Sequence, residues 1–132
     1  MSIADDLKVK DGICRFRPHG EFSLVEAVEV ITSAIAYCRK QGIDKLLIDG
    51  SNMSGVPIPT IVDRFLMVEE WAAEAQGQVV AVLVVRAEYI HPKKFGVRVA
   101  ADLGWVADVY SSEKDALTWL SHAAAAIQPR SG

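Results

Sequence analysis

The sequence lacks the segments and motifs that most readily identify a function. Its longest strictly apolar run, Val79 to Val85, is too short to span a bilayer. The first six residues have neither the basic nor the apolar region of a secretory signal. There is no GxGxxG or GxSxG, and no Lys-Ser/Thr pair follows Gly50 and Gly55 as a phosphate-binding loop requires. We therefore predict no membrane span, a cytoplasmic location and no enzyme activity.

The sequence also lacks a large excess of either charge and any cluster of metal-ligating residues. The chain has 14 Lys and Arg against 17 Asp and Glu, a net charge of −3, which argues against nucleic-acid binding. Cys14 and Cys38 form no CxxC, and we expect both thiols to be reduced and buried. The three histidines lie on different predicted elements without ligand-like spacing. We predict no metal site and no cofactor.

What is present is the composition of one globular domain. Of 132 residues, 51% are hydrophobic and 23% are charged, so residues 1–132 are predicted to form a single domain with a disordered tail at 128–132. Asp11-Gly12 predicts a two-residue hairpin turn. The register it implies places alternating apolar residues on one face, towards the core, and basic residues on the other: Leu7, Val9, Cys14 and Phe16 against Lys8, Lys10, Arg15 and Arg17.

Start and stop signals predict four helices after the hairpin, separated by strands. The predicted helices begin at Ser23, near Pro59 or Thr60, at Pro92 and at Ser112, and the intervening strands cover 45–49, 79–85 and 106–110. The order β-β-α-β-α-β-α-β-α predicts an α/β fold with a mixed sheet of about five strands. The hairpin is antiparallel and the later strands run parallel.

Open α/β sheets usually bind ligands outside the carboxyl ends of their parallel strands. Here those ends present polar and charged side chains, which we take as candidate binding residues: Asp49, Ser51, Arg86, Glu88 and His91. Three of them, Asp49, Glu88 and His91, are also the candidate residues for an unrecognised enzyme. The alternative is that they form turns and caps.

Lys93 and Lys94 are predicted in the first turn of the third helix, where the helix dipole disfavours cations. Arg98 follows Lys94 at a repulsive i,i+4 spacing. These three residues are either solvated or hold an anionic ligand or partner.

The second helix has more apolar residues than one core-facing stripe needs. The predicted core stripe is Ile61, Phe65, Val68, Ala72 and Ala75, and the extra residues are Val62, Leu66, Met67 and Trp71. A loop of the same chain, a dimer interface or an apolar ligand would each explain the second set. We predict an interface there, with a homodimer.

Two segments give a family resemblance that covers nearly the whole chain. Residues 95–104 and 109–120, the latter ending in Asp-Ala-Leu-Thr-Trp-Leu, resemble the SpoIIAA-like proteins. These are small bacterial proteins related to STAS domains, the fold of anti-sigma-factor antagonists. The resemblance implies a non-catalytic protein-interaction or regulatory module. It also implies that Ser54, in Asn52-Met53-Ser54-Gly55, corresponds to the serine that antagonists phosphorylate, although Asn52 and Met53 depart from the Asp-Ser that precedes it there.

The alternative function is a carrier or sensor of a small amphipathic or anionic, lipid-like ligand. Some relatives of the fold resemble the CRAL-TRIO lipid-binding domain, and an apolar second helix beside a basic third helix suits such a ligand. The feature that favours it is a closed apolar pocket between the second helix and the sheet, with Lys93, Lys94 or Arg98 at its mouth. A filled core there would exclude it.

Overall fold

The structure is a computed structural model that describes residues 3–124. The predicted disordered tail at 128–132 lies outside these residues. The described strands are β1 (Leu7–Lys10), β2 (Ile13–Phe16), β3 (Gly20–Glu21), β4 (Lys45–Asp49), β5 (Met53–Ser54), β6 (Val80–Val84) and β7 (Ala107–Tyr110). The helices are α1 (Leu24–Gln41), α2 (Ile61–Ala75), α3 (Phe95–Asp102) and α4 (Glu113–His122), with short 3-10 turns at Ala4–Asp6 and Ala87–Tyr89.

A five-stranded mixed sheet forms the centre of the molecule, in the order β1-β2-β4-β6-β7. β1 and β2 are antiparallel, and the strands from β2 to β7 in this order pair in parallel. The predicted α/β class, the five-stranded mixed sheet and the four helices are confirmed. A second sheet of two short parallel strands, β3 and β5, was not predicted because neither dipeptide carries an alternating pattern.

The hairpin has the predicted register, with Leu7 opposite Phe16 and Lys10 opposite Ile13. Its predicted core face is only partly right, because Cys14 and Phe16 are buried but Val9 is 51% exposed. β1 is the edge strand of the sheet, and Val9 lies beyond the cover of the helices. The charged side chains on this edge disfavour pairing with another chain.

Helices cover both faces of the sheet. The larger core, under α1, α2 and α3, contains both cysteines, which are fully buried free thiols as predicted. A hydrogen bond with Cys14, together with burial, raises the pKa of the Cys38 thiol, so it stays protonated at neutral pH. The smaller core packs Ala116 and Leu120 of α4 against Leu47, Val80 and Val82. β4 and β6 are therefore buried on both faces, which explains their unbroken apolar sequence.

Each of the two long helices begins with a capping box. Ser23 Oγ accepts from Glu26 N, and Glu26 Oε1 accepts from Ser23 N, as the sequence predicted. Thr60 and Asp63 make the same reciprocal pair at the start of α2. α1 ends at Gly42, whose φ of 72° is left-handed.

The start of α3 corrects the prediction that Pro92 lies in its first turn. Residues 91–94 form a tight turn in which Lys94 N donates to His91 O, and α3 begins only at Phe95. Lys94 is the N-cap and has a left-handed backbone, with φ 48° and ψ 53°, so the helix does not extend back through it. Lys93 and Lys94 are therefore not first-turn residues.

The core stripe of α2 also differs from the prediction. Val68, Trp71 and Ala75 are buried, whereas Ile61 and Phe65 are 47% and 41% exposed. Trp71, predicted as an interface residue, is 3% exposed, and its Nε1 donates to Val28 O at 3.2 Å. The helix is rotated so that its indole, the largest apolar group, is buried. Val62 and Leu66 stay exposed as predicted, at 66% and 55%.

Replacement of Trp71 tests this rotation. We expect Trp71→Ala to lower the free energy of unfolding by about 3–5 kcal/mol, because it leaves a cavity and removes the hydrogen bond from the indole to Val28 O. Leu66→Ala, the control on the exposed face of the same helix, should change it by less than about 0.5 kcal/mol. Urea unfolding followed by circular dichroism measures both. Equal losses for the two variants would contradict the rotation.

Candidate functional site

An apolar pocket lies between α1, α2, α3 and the sheet. Its volume is about 160 Å³. Its walls include Ala27, Val28 and Ile31 of α1, Met67, Val68 and Trp71 of α2, Gly96 and Ala100 of α3, and Ile48, Leu83 and Ala107 of the sheet. Protein cores rarely contain voids larger than a water molecule. This space is partly open to solvent, and its size and apolar lining make it the candidate binding site.

Small side chains and two packed indoles leave this space open. Trp71 and Trp105 meet edge to face, with ring centroids 6.4 Å apart, and both line the pocket. Trp105 Nε1 donates to Val79 O at 2.9 Å, so its ring is held in place. Three further lining residues, Gly96, Ala100 and Ala107, have little or no side chain with which to fill the space.

The mouth of the pocket lies at the carboxyl ends of β4, β6 and β7, where ligands of open α/β sheets usually bind. The loops after β4 and β6 line it, through residues that include Gly50, Met53 and Val56 from the first and Arg86, Tyr89 and His91 from the second. This is the crevice that the strand order predicted.

Hydrogen bonds tie the two loops and α2 together over the pocket. Tyr89 Oη donates to Val56 O at 2.5 Å, which joins the loop after β6 to the loop after β4. Arg64 Nη1 donates to Tyr89 O at 3.0 Å, which joins the loop after β6 to α2. These two bonds make Tyr89 a latch between three segments of the chain.

The charged lining residues are not balanced. Arg64 and Arg86 both line the pocket, and neither forms an ion pair with a carboxylate anywhere in residues 3–124. Asp108 also lines it, but Lys94 Nζ donates to Asp108 Oδ1 at 2.7 Å and neutralises it. Asp108 further accepts from Val109 N and from Tyr110 Oη. The mouth therefore carries two cations without an anion.

The same cluster explains the unusual backbone of Lys94. Its ammonium lies 4.4 Å from the centroid of the Tyr110 ring as well as on Asp108. Partial burial, with the hydrogen bond to Asp108 and the charge of that carboxylate, raises the pKa of Tyr110 above its ordinary value of 10.0. The charge of Lys94 is thus used in contacts within the fold, with Asp108 and Tyr110, and is not available to a ligand.

Of the candidate binding residues, the structure brings Arg86 and His91 into the pocket lining. Lys93 and Arg98 are exposed outside it. Asp49 Oδ1 accepts from Ser51 N and Ser51 Oγ, which is the turn role, and its Oδ2 lies 3.8 Å from Arg17 Nε. The prediction that Lys93, Lys94 or Arg98 stands at the pocket mouth is wrong, because Arg64 and Arg86 hold that position.

The three residues considered for catalysis are not assembled. His91 Nδ1 accepts from Lys93 N, which is a turn contact, and His91 lines the pocket while Asp49 and Glu88 do not. Within the described part of the chain no hydrogen bond or ion pair links any two of the three. The side chains of residues 3–124 also offer no cluster of three metal-ligating groups.

Ser54 is exposed and lies in β5, opposite Glu21 of β3. Its Oγ donates to Gly20 O at 3.2 Å. Gly55 follows with a φ of 81°, and a Cβ there would come within 2.9 Å of Glu21 Cγ, so glycine is required. Ser54 is not part of the pocket lining.

Sequence reasoning missed Arg64 and Asp108. The signal for Arg64 was the spacing, because Arg64, Val68, Trp71 and Ala75 follow one another at three- and four-residue steps on one helix face. The signal for Asp108 was an acid within an otherwise apolar strand, which required a buried partner. That partner, Lys94, lies fourteen residues earlier and was assigned to solvent or ligand instead.

An exposed apolar patch lies on the other side of α2. We call the α2 patch the residues Ile58, Ile61, Val62, Phe65 and Leu66, which are 41–66% exposed. α2 also carries four acids, Asp63, Glu69, Glu70 and Glu74, against one base, Arg64, and so has a net charge of −3 (1 − 4). Of the helices in the described residues, none is long and apolar enough to cross a membrane.

Comparison with known proteins identifies the fold. No protein-family model matches the chain, and no curated protein matches its sequence. Among solved structures, an anti-sigma factor antagonist from Mycobacterium paratuberculosis is similar, with a TM-score of 0.54 and 19% identity over 87% of this chain and 91% of that one. The unphosphorylated anti-sigma factor antagonist SpoIIAA has a TM-score of 0.50 and 18% identity over 89% of this chain and 97% of that one. The chain has a SpoIIAA-like, STAS-type fold, as the resemblance implied.

Tyr89→Phe tests the latch. We expect it to speed amide hydrogen exchange in residues 53–60 and 86–91 and to cost about 1 kcal/mol of local stability, because the Val56 carbonyl loses its donor. Hydrogen exchange with mass spectrometry measures this, and Tyr37→Phe on α1 is the control. Unchanged exchange in both loops would show that the Tyr89 hydroxyl does not hold them together.

Proposed function

We propose that this protein is a non-catalytic, cytoplasmic regulatory module that binds another protein through the α2 patch. The observation that carries the proposal is the contiguous exposure of five large apolar residues along one helix and the loop before it. Patches of this kind on soluble proteins commonly mark interaction sites. The fold gives further support, since the two similar structures are of anti-sigma factor antagonists, proteins whose activity is directed at another protein.

The charge of α2 indicates the chemistry of the partner. Glu69 and Glu70 are exposed one turn beyond Phe65 and Leu66, so the patch has an acidic border. A partner surface of apolar side chains flanked by Lys or Arg complements it. Glu74 is paired with Arg39 of α1, but in a symmetric pairing of two α2 patches the exposed Glu69 side chains of both copies would border the same interface. We therefore favour a basic, apolar protein partner over the predicted homodimer, which stays as the competing hypothesis.

Two valines of equal exposure provide a matched test. Val62 in the α2 patch and Val25 on α1 are both 66% exposed and both helical. A photo-crosslinking residue at each position, in the protein's own cells, should trap a protein partner from position 62 only. With the purified partner, Val62→Asp should weaken binding at least ten-fold and Val25→Asp less than two-fold. Binding should also weaken with added salt, because the complementary charges are exposed.

Three outcomes would contradict this proposal. Equal effects of Val62→Asp and Val25→Asp would show that the α2 patch does not bind the partner. Salt-independent binding would remove the argument from charge. A wild-type dimer in light scattering that Val62→Asp converts to a monomer would assign the patch to a second copy of this chain.

We propose Ser54 as the point of regulation in this scheme because of its neighbour Glu21. A phosphate on Ser54 would lie opposite the Glu21 carboxylate, and the modified oxygen would no longer donate to Gly20 O. Like-charge repulsion would then separate β3 from β5 and loosen the loop that leads to the α2 patch. In the SpoIIAA-like resemblance, Ser54 holds the place of the phosphorylated serine.

We expect protein purified from its own cells to carry phosphate on Ser54, detected by mass spectrometry of its peptides. Ser54→Asp should weaken binding of the crosslinked partner, and Ser54→Ala should bind it as the wild type does. Ser33→Asp, on the exposed face of α1, controls for added charge. Absence of phosphate together with wild-type binding by Ser54→Asp would exclude the switch.

A second candidate function is the binding of a small amphipathic or anionic molecule, as a carrier or sensor. The apolar pocket favours it, because an apolar cavity with a few polar groups at its mouth is the usual form of a small-molecule site. The pocket does not depend on the α2 patch, since Ile61, Val62, Phe65 and Leu66 do not line it.

A further inference from the structure

The size of the pocket limits the ligand. Its volume is about 160 Å³. An engineered apolar cavity of about 150 Å³ in another protein stays dry and takes up benzene. One aromatic ring, or an alkyl chain of similar volume, therefore fills this pocket. A long-chain lipid would extend well beyond it.

The walls offer a ligand few hydrogen bonds inside the pocket. The indole N–H of Trp71 donates to Val28 O and that of Trp105 to Val79 O, so both donors are already used. The carboxylate of Asp108 is paired with Lys94. The interior is thus suited to an apolar group, and water gains little there.

The mouth offers the opposite chemistry. Arg64 is half-buried on α2 and uses Nη1 to hold Tyr89 O, and its guanidinium has no carboxylate partner in residues 3–124. Arg86 is exposed at the end of β6 and likewise makes no ion pair with the described residues. Guanidinium groups bind carboxylate and phosphate oxygens through paired N–H donors. The missing counter-charge at the mouth is therefore an oxyanion.

We infer that the pocket binds a small anionic amphipath: one aromatic ring or short alkyl chain in the cavity, with a carboxylate or phosphate head held by Arg64 and Arg86. This inference rests on the second candidate function and names its ligand class. His91 lies at the same mouth, with Nδ1 occupied by Lys93 N. The ring or chain would fill the cavity, and the anionic head would pair with Arg64 and Arg86.

Matched probes separate the head from the tail. Octanoate and phenylacetate carry the head and tail; 1-octanol and 2-phenylethanol have the same tails without charge. We expect each acid to bind at least ten-fold tighter than its alcohol by isothermal titration calorimetry. Octyl phosphate distinguishes the two heads: tighter binding than octanoate, with the same dependence on the arginines, supports the inference and assigns the head as phosphate. Acetate and inorganic phosphate, which have no tail, should not bind.

Variants connect these affinities to the pocket. Arg86→Gln and Arg64→Gln should each weaken octanoate at least ten-fold and leave 1-octanol unchanged, while Arg98→Gln, an exposed arginine outside the pocket, should change neither by more than two-fold. Ala107→Leu, which fills the pocket from β7, should abolish both. In a Trp119→Phe background, binding should change the fluorescence of Trp71 and Trp105, which line the pocket. Arg86 is exposed, so its variant stays informative if Ala107→Leu does not fold.

The outcomes that overturn the inference differ from those that overturn ligand binding itself. If acids and alcohols bind equally, or if Arg86→Gln and Arg98→Gln have equal effects, the ligand has no anionic head bound by these arginines. The pocket would then be a site for uncharged apolar molecules. If no probe gives a heat of binding or a fluorescence change, both the anionic-head inference and small-molecule binding by the pocket are contradicted. Tight binding of acetate would place the anion outside the pocket. Val62→Asp should leave octanoate affinity unchanged, which keeps this test separate from that of the protein partner.

Discussion

The hydrogen bond from Trp71 Nε1 to Val28 O sets the orientation of α2, and much of the molecule's surface and interior follows from it. Because the indole is buried against α1 and Trp105, the helix cannot turn its other apolar side to the sheet. A rotation that buried Ile61 and Phe65 would expose Trp71 and break both its hydrogen bond to Val28 O and its contact with Trp105. The helix would thereby lose the burial of its largest apolar side chain together with these two contacts.

One orientation of α2 therefore has two consequences. On its inner side, Arg64, Met67, Val68 and Trp71 form a wall of the pocket. On its outer side, Ile61, Val62, Phe65 and Leu66 remain in solvent. The indole pair and the small residues Gly96, Ala100 and Ala107 all line the pocket. The pocket and the α2 patch are thus two results of the same packing choice.

The sequence predicted the parts of the fold that local rules determine. Asp11-Gly12 gave the hairpin register, Ser23 and Glu26 gave the start of α1, and Gly42 gave its end. The rotation of α2 was not predictable from periodicity, because apolar residues occupy most of its surface and two stripes fit a period of 3.6 equally well. Only the partner groups, Val28 O and Trp105, distinguish these stripes, and both are distant in the sequence.

The candidate site was predictable in place but not in composition. The strand order located the crevice correctly, since it depends only on which strands run parallel. The charged residues were misassigned because each cation's role depends on contacts made across the fold. Lys94 is expected from the sequence to be solvated or to hold an anionic ligand, but Asp108 neutralises it, and Arg64, for which the sequence predicts no role, faces the pocket. The left-handed backbone at Lys94, a rare conformation for lysine, leaves no trace in the sequence itself.

Departures from ordinary folding rules are concentrated around α2 and the loops beside it. Elsewhere in the described chain α1 begins with a capping box, the edge strand β1 carries two lysines, and β4 and β6 are covered on both faces, although α3 lacks a side-chain cap and Arg15 Nε is buried without a hydrogen bond. Around α2, a pocket of about 160 Å³ stays open, Arg64 and Arg86 form no ion pair with the described residues, and five large apolar residues face water. The exposed apolar residues lower solubility, and a larger residue at Ala107 would fill part of the pocket. Sequences that satisfy every other rule usually break them at functional sites. This contrast, more than the likeness to any one protein, directs the search for function to α2.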